Sequence, residues 1–197
     1  MNEKSAMTGI ILSGGKSRRM GENKAFLEIR GERIIDRTAG IFRELFEETI
    51  IVTNDPLDYV EFDVKIATDI FPGKGPLGGI YTGLFFAAFD YAFVASCDMP
   101  FLNPAFIAYM KERKRDYDIL VPAARGGLEP LHAIYSKKCL PPIRKLIEKN
   151  LLKIRGFYKQ CKTVEIPEAI LRSFDQEDKM FLNLNTKDDL VRSGIIS

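Results

Sequence analysis

The stretch Ile11–Lys24, "ILSGGKSRRMGENK", carries three glycines, two arginines and two lysines directly after an apolar run. Glycines let backbone N–H groups approach a ligand, and cations offset anionic charge, so the pattern suits a loop that holds phosphates. Gly15-Lys16-Ser17 imitates the end of a GxxxxGK[ST] loop, but position 10 is Ile10 rather than glycine. GxGxxG fails as well, because Gly14 and Gly15 are adjacent and the next glycine is Gly21. The ingredients for holding a triphosphate are therefore present without either common nucleotide motif. On composition alone, a glycine turn followed by a solvated cationic stretch is the competing reading.

Three more stretches carry chemistry. In "YAFVASCDMPF" an apolar run delivers Asp98, a carboxylate suited to Mg²⁺, which takes one or two carboxylates together with phosphate oxygens and water. Capping a turn or the next helix is the alternative use of Asp98. In "TDIFPGKGPLGG", Asp69 is followed by four glycines, two prolines and Lys74, which suits either a surface loop or a pocket with close backbone approach. In "FLNLNTKDDL", Asn183 and Asn185 fall on one face if the segment is a short strand. A turn and a helix capped by Thr186 is the simpler reading there.

Stepping through the chain, strand patterns alternate with helical ones. Apolar runs at Thr8–Leu12, "TIIVTN", "VKIAT", "YAFVASC", "DILVP", "EPLHAIY", "KTVEI" and "FLNLN" read as strands. "GERIIDRTAGIFRELF" puts Ile34, Ile35, Thr38, Ile41, Phe42 and Leu45 on one helical face. "GGIYTGLFFAAF", "PAFIAYMKERK", "LPPIRKLIEKN" and "TKDDLVRSG" complete the helices. Such alternation predicts α/β layers on a mostly parallel sheet, with one domain over 1–197 and a loose end at 1–7. Ligands of these sheets sit beyond the carboxyl ends of the strands, where the glycine loop, Asp69, Asp98 and the asparagines all fall.

Composition narrows the classes. A 46% apolar fraction gives a full core, and no run approaches the roughly 18 apolar residues of a membrane span. No secretory signal pattern is evident, so a cytoplasmic location is expected. A net charge of +2 argues against a general nucleic-acid binder. Cys97, Cys139 and Cys161 lack CxxC spacing, and His132 is the lone histidine with no GxSxG before it. Thiol frameworks, zinc clusters and serine triads are set aside on those grounds.

Taken in order, "ILSGGKSRRMGENK", "TDIFPGKGPLGG", "SCDMP", "EPLHAIY" and "NLNTKDDL" resemble the molybdenum cofactor guanylyltransferase family of the nucleotidyltransferase superfamily. The resemblance runs over nearly the whole chain. It implies a Rossmann-like three-layer α/β/α sandwich and Mg²⁺-dependent transfer of GMP from GTP to molybdenum-bound molybdopterin, with release of pyrophosphate. Leu12, Ser13, Gly14 and Gly15 would contact the nucleotide. Arg19 and Lys24 would balance phosphate charge, Asp69 would hold the guanosine part, and Asp98 would hold Mg²⁺. Asn183 and Asn185 match an N-x-N on the acceptor or metal side, while the family's asparagine after the second strand aligns with either Thr53 or Asn54. The implied partners are GTP and molybdopterin, without nucleic acid or membrane, and with room for contact to cofactor-inserting or molybdoenzyme-maturation proteins. Gly14, Gly15 and "GPLGG" look like the guanine type. A cytidylyltransferase of the same cofactor, a sugar-phosphate nucleotidylyltransferase and a non-catalytic GTP-binding module are the rivals. Phosphoryl chemistry between two anions needs alignment and charge balance more than a general base, which fits a site without His or Cys.

Overall fold

Buried apolar strands organise the molecule, seen in a computed structural model that describes residues 6–14, 23–177 and 179–184. β1 (Thr8–Leu12) is buried at every position and lies between β4 (Glu48–Thr53) and β6 (Tyr91–Ser96), parallel to both. Continuous apolar runs of this kind belong in strands covered on both faces. β5 (Lys65–Thr68) extends the sheet beyond β4, and β7 (Ile119–Ala124) pairs in parallel with β10 (Thr163–Ile166). One strand runs the other way: β9 (His132–Ser136) is antiparallel to both β6 and β7. The order is β10-β7-β9-β6-β1-β4-β5, with the short β8 (Gly127–Leu128) folded back on β7.

Alternation of side chains divides the core in two. Ile11 and Phe93 face α1 (Ile34–Leu45), α3 (Pro104–Glu112) and α5 (Glu168–Phe174), while Ile10, Leu12 and Val94 face α2 (Gly75–Phe86) and α4 (Leu140–Glu148). The three layers expected from the sequence are present. On α1, Ile34, Ile35, Thr38, Ala39 and Phe42 are buried, as the 3.6-residue period requires. α2 differs from the one-sided helix expected: every residue from Leu77 to Leu84 is buried. Gly83 permits this, since a Cβ there would stand 2.6 Å from Ile10.

Further departures have local causes. Residues 181–184 form no strand. Leu182 N–H turns back to Lys179 O (2.9 Å) and Leu184 N–H reaches Asp98 O (3.0 Å), so no ladder develops. β9 begins only at His132, because Pro130 has no N–H to give a ladder. The hairpin of β2 (Glu28–Ile29) and β3 (Glu32–Arg33) turns on Arg30 and Gly31, both at positive φ, and its strands are too short for a period to show. The expected helix "TKDDLVRSG" and its cap Thr186 lie outside the described residues. Among the described residues, no helix is long and apolar enough to cross a membrane.

Candidate active site

Because β9 runs opposite to its neighbours, its first residue lies at the same edge as the last residues of β1, β4, β5, β6 and β7. Leu12-Ser13-Gly14, Asn54, Asp69 and Asp98 therefore emerge side by side. Ladder bonds continue just past two strand ends: Ser13 N–H donates to Val52 O (2.9 Å) and Cys97 N–H to Leu12 O (3.0 Å). Ser13 thus presents no spare amide. The first residue of the loop beyond the ladder is Gly14, exposed, with the Asn54 amide nitrogen 3.6 Å from where a Cβ would stand. Thr53 is buried and its hydroxyl accepts from Asp55 N–H (3.1 Å), so Asn54 is the asparagine that reaches the glycine loop.

The side chain of Ser13 turns inward and shares a short hydrogen bond with Tyr59, whose hydroxyl also accepts from Asn23 Nδ2 (3.0 Å). Burial raises the Tyr59 pKa above its ordinary value, against the pull of the Ser13 and Asn23 hydrogen bonds. Asn23 caps the short 3₁₀ turn Lys24–Phe26 by accepting from Ala25 N–H (3.2 Å), which fixes the backbone of Lys24.

Cys97 joins the end of β6 to Asp98. Burial pushes its thiol up to about 12. The Ser13 hydrogen bond opposes that rise, the Asp98 charge adds to it, and the Lys24 charge opposes it.

Asp98 is half-buried, and its Oδ1 is buried with no hydrogen-bond partner among the described residues. The capping alternative fails for α3, whose cap is Asn103, accepting from Phe106 N–H at 3.1 Å. An orphaned buried carboxylate oxygen at a strand end fits a hard cation that draws its other ligands from phosphates and water. No group of three or more His, Cys, Asp or Glu among the described residues could hold a metal alone.

Asp69 is held from two sides. Its Oδ1 accepts from Phe71 N–H (3.0 Å) and Thr82 Oγ1 (2.9 Å), and Thr82 Oγ1 accepts from Ile70 N–H (2.9 Å). Gly78 makes room: a Cβ there would lie 3.0 Å from Phe71 O and 3.1 Å from Asp69 Oδ2. Lys74 precedes α2 and donates to Asn150 Oδ1 (3.0 Å). α2 starts without a side-chain cap, so its first N–H groups face this edge as an anion-attracting end.

Of the residues expected from the sequence, Leu12, Ser13, Gly14, Lys24, Asp69 and Asp98 converge on this edge. Asn183 is exposed and adjoins Leu184, which is bonded to Asp98. Gly15, Arg19 and Asn185 lie outside the described residues. Sequence reasoning missed Tyr59, Asn23 and Thr82, which hold the others in place. Only Thr82 left a signal, as a hydroxyl inside an apolar helix that must find a partner.

Known proteins resemble the chain in sequence and in fold. The family model for the MobA-like NTP transferase domain matches residues 9–164. A molybdenum cofactor guanylyltransferase of Desulfosudis oleivorans is 40% identical over 190 residues, covering 95% of this chain and 94% of that protein. A protein of Pelotomaculum thermopropionicum named a probable molybdenum cofactor guanylyltransferase is 38% identical, covering 96% and 93%. The crystal structure of molybdopterin-guanine dinucleotide biosynthesis protein A from Archaeoglobus fulgidus superposes with a TM-score of 0.82 at 28% identity, covering 95% of this chain and 96% of that one. Matched in sequence and in three dimensions over nearly its whole length, the chain belongs to the MobA-like NTP transferase family.

Proposed function

We propose that the protein transfers GMP from GTP to molybdenum-bound molybdopterin. A terminal phosphate oxygen of the acceptor attacks the α-phosphorus of GTP. The bond from that phosphorus to the bridging oxygen breaks, and pyrophosphate leaves with its electrons. The observation that carries this reading is the emergence of Gly14, Asp69 and Asp98 at one edge of the sheet, with the buried Oδ1 of Asp98 left without a partner among the described residues. Relatives named for guanylyl transfer to the same cofactor support it.

Each residue has a part. The Gly14 loop and the uncapped start of α2 receive phosphate oxygens through backbone N–H groups. Lys24 and Arg19 offset the charge of two anions brought together. Asp69, pinned by Thr82 and Phe71, holds the guanosine part. Asp98, with Asn183 and Asn185 on the acceptor side, would hold Mg²⁺. The ion, when bound, withdraws charge from the phosphate oxygens and aligns them. No side chain needs to remove a proton, since the attacking oxygen is already anionic.

The test is direct. Purified protein is given GTP, Mg²⁺ and molybdopterin, pyrophosphate is followed, and the pterin product is weighed by mass spectrometry. Pyrophosphate and a guanine dinucleotide should appear together. Pyrophosphate without a heavier pterin product would contradict transfer. A separate readout for the ion is Mn²⁺ spin resonance, whose GTP-dependent protein signal should vanish in Asp98→Asn.

A further inference from the structure

"EPLHAIY" matched the family pattern, yet the chemistry above leaves its glutamate without a part. Glu129 stands just before β9, in the lane of the sheet next to β6 and Asp98. The nucleotide groups Gly14, Asn54 and Asp69 lie on the other side of Asp98, after β1, β4 and β5. Its backbone is locked: Glu129 N–H donates to Pro122 O (3.0 Å), and Glu129 O accepts from His132 N–H (3.1 Å). The next residue is locked too, since Pro130 O accepts from the buried Tyr135 hydroxyl (2.7 Å).

The carboxylate itself is half-buried and makes no hydrogen bond or ion pair among the described residues. A partly desolvated carboxylate normally has a donor, so one without a donor on a rigid loop in an active-site edge invites a ligand's N–H groups. Burial raises its pKa, and the Arg155 guanidinium opposes that rise. Gly127 brings that guanidinium close, with Arg155 Nη1 3.3 Å from where a Cβ would stand.

Resting on the guanylyl-transfer reading, we infer that Glu129 recognises the acceptor through the 2-amino-4-oxopyrimidine edge of its pterin. That edge offers a ring N–H and an exocyclic NH₂ side by side, which one carboxylate accepts together. Guanine carries the same pair of donors, but the placement of Glu129 across Asp98 from Asp69 assigns it to the acceptor.

The test is fluorescence titration with a phosphorylated 6-substituted pterin and with the matching lumazine, which lacks the exocyclic amine. Wild type should prefer the pterin by about tenfold or more, and Glu129→Gln should lose that preference while keeping its melting temperature and its calorimetric GTP affinity. Equal pterin and lumazine affinity in wild type, or an unchanged preference in Glu129→Gln, would overturn the inference. A GTP affinity that falls with Glu129→Gln would move the contact to guanine and overturn it as well. Pyrophosphate release is scored separately: pterin preference without turnover contradicts the transfer reading and leaves the pterin contact standing.

Discussion

The main-chain N–H of Leu184 donates to the carbonyl oxygen of Asp98 at 3.0 Å, tying the C-terminal stretch to the loop after β6. Leu184 is itself buried against Ile29 and Ile34, so this link is anchored on the far side by the β2–β3 hairpin and α1. The backbone of Asp98 is thereby fixed while its Oδ1 stays without a partner. A carboxylate held ready in this way is expected to serve charge rather than shape.

Asp98→Asn separates those two roles. Asparagine keeps the size and the turn but removes the charge that a hard cation requires. Turnover should fall by about 10²-fold or more, with an unchanged melting temperature. A folded variant with near-normal turnover would remove the metal from the account.

Gly78→Ala tests the support behind Asp69. The added methyl would meet the backbone Phe71 O at 3.0 Å and Asp69 Oδ2 at 3.1 Å, the end of a carboxylate held through its other oxygen by Phe71 N–H and Thr82. Displacing that carboxylate should raise KM for GTP, by up to about 10²-fold if it shifts by an ångström. Steady-state kinetics at saturating acceptor decide it, and an unchanged KM would release Asp69 from nucleotide binding.

Thr82→Val removes the hydroxyl shared by Ile70 N–H and Asp69 Oδ1 and leaves both without it. A loss of roughly 1–3 kcal/mol in stability is expected from urea unfolding, together with weaker GTP binding. Thr82→Ser should restore both. Weaker stability with intact GTP affinity would confine Thr82 to packing.

His132 makes the fold acid-sensitive. It is fully buried among Phe93, Phe106 and Phe181, neither ring nitrogen has a partner among the described residues, and burial lowers its pKa to about 3. Between pH 3 and the ordinary value near 6.5, the unfolded chain binds a proton that the folded chain refuses. Stability from this group is complete above pH 6.5 and declines as pH falls towards 3. Melting temperatures at pH 7.5 and 5 should therefore converge in His132→Phe relative to wild type. An equal acid slope in both proteins would place the sensitivity elsewhere.

Much of this arrangement was legible in the sequence, and the reasons differ by element. β1, β4 and β6 are apolar runs long enough to announce buried parallel strands, and α1 shows its face through Ile34, Ile35, Thr38 and Phe42, while Ala39 emerges as part of that face only in the structure. The position of Asp69 and Asp98 followed from their place after such runs. What stayed hidden depends on contacts distant in sequence. The reversal of β9 has no local signature, and neither does the Tyr59 hydroxyl under Ser13. The β2–β3 hairpin is too short for any period, and 181–184 looked like a strand because alternation alone does not reveal whether a neighbouring edge exists. Asn54 became the asparagine beside Gly14 only when the turn of Thr53 towards Asp55 was seen.

Guanylyl transfer is tested by base discrimination. With Mg²⁺ and molybdopterin fixed, kcat/KM for pyrophosphate release is compared between GTP and CTP. A pocket that bonds the edge of one base rejects another that leaves its polar groups unpaired, so GTP should lead by roughly 10²-fold or more. Equal turnover of the two nucleotides, or a preference for CTP, would contradict the account.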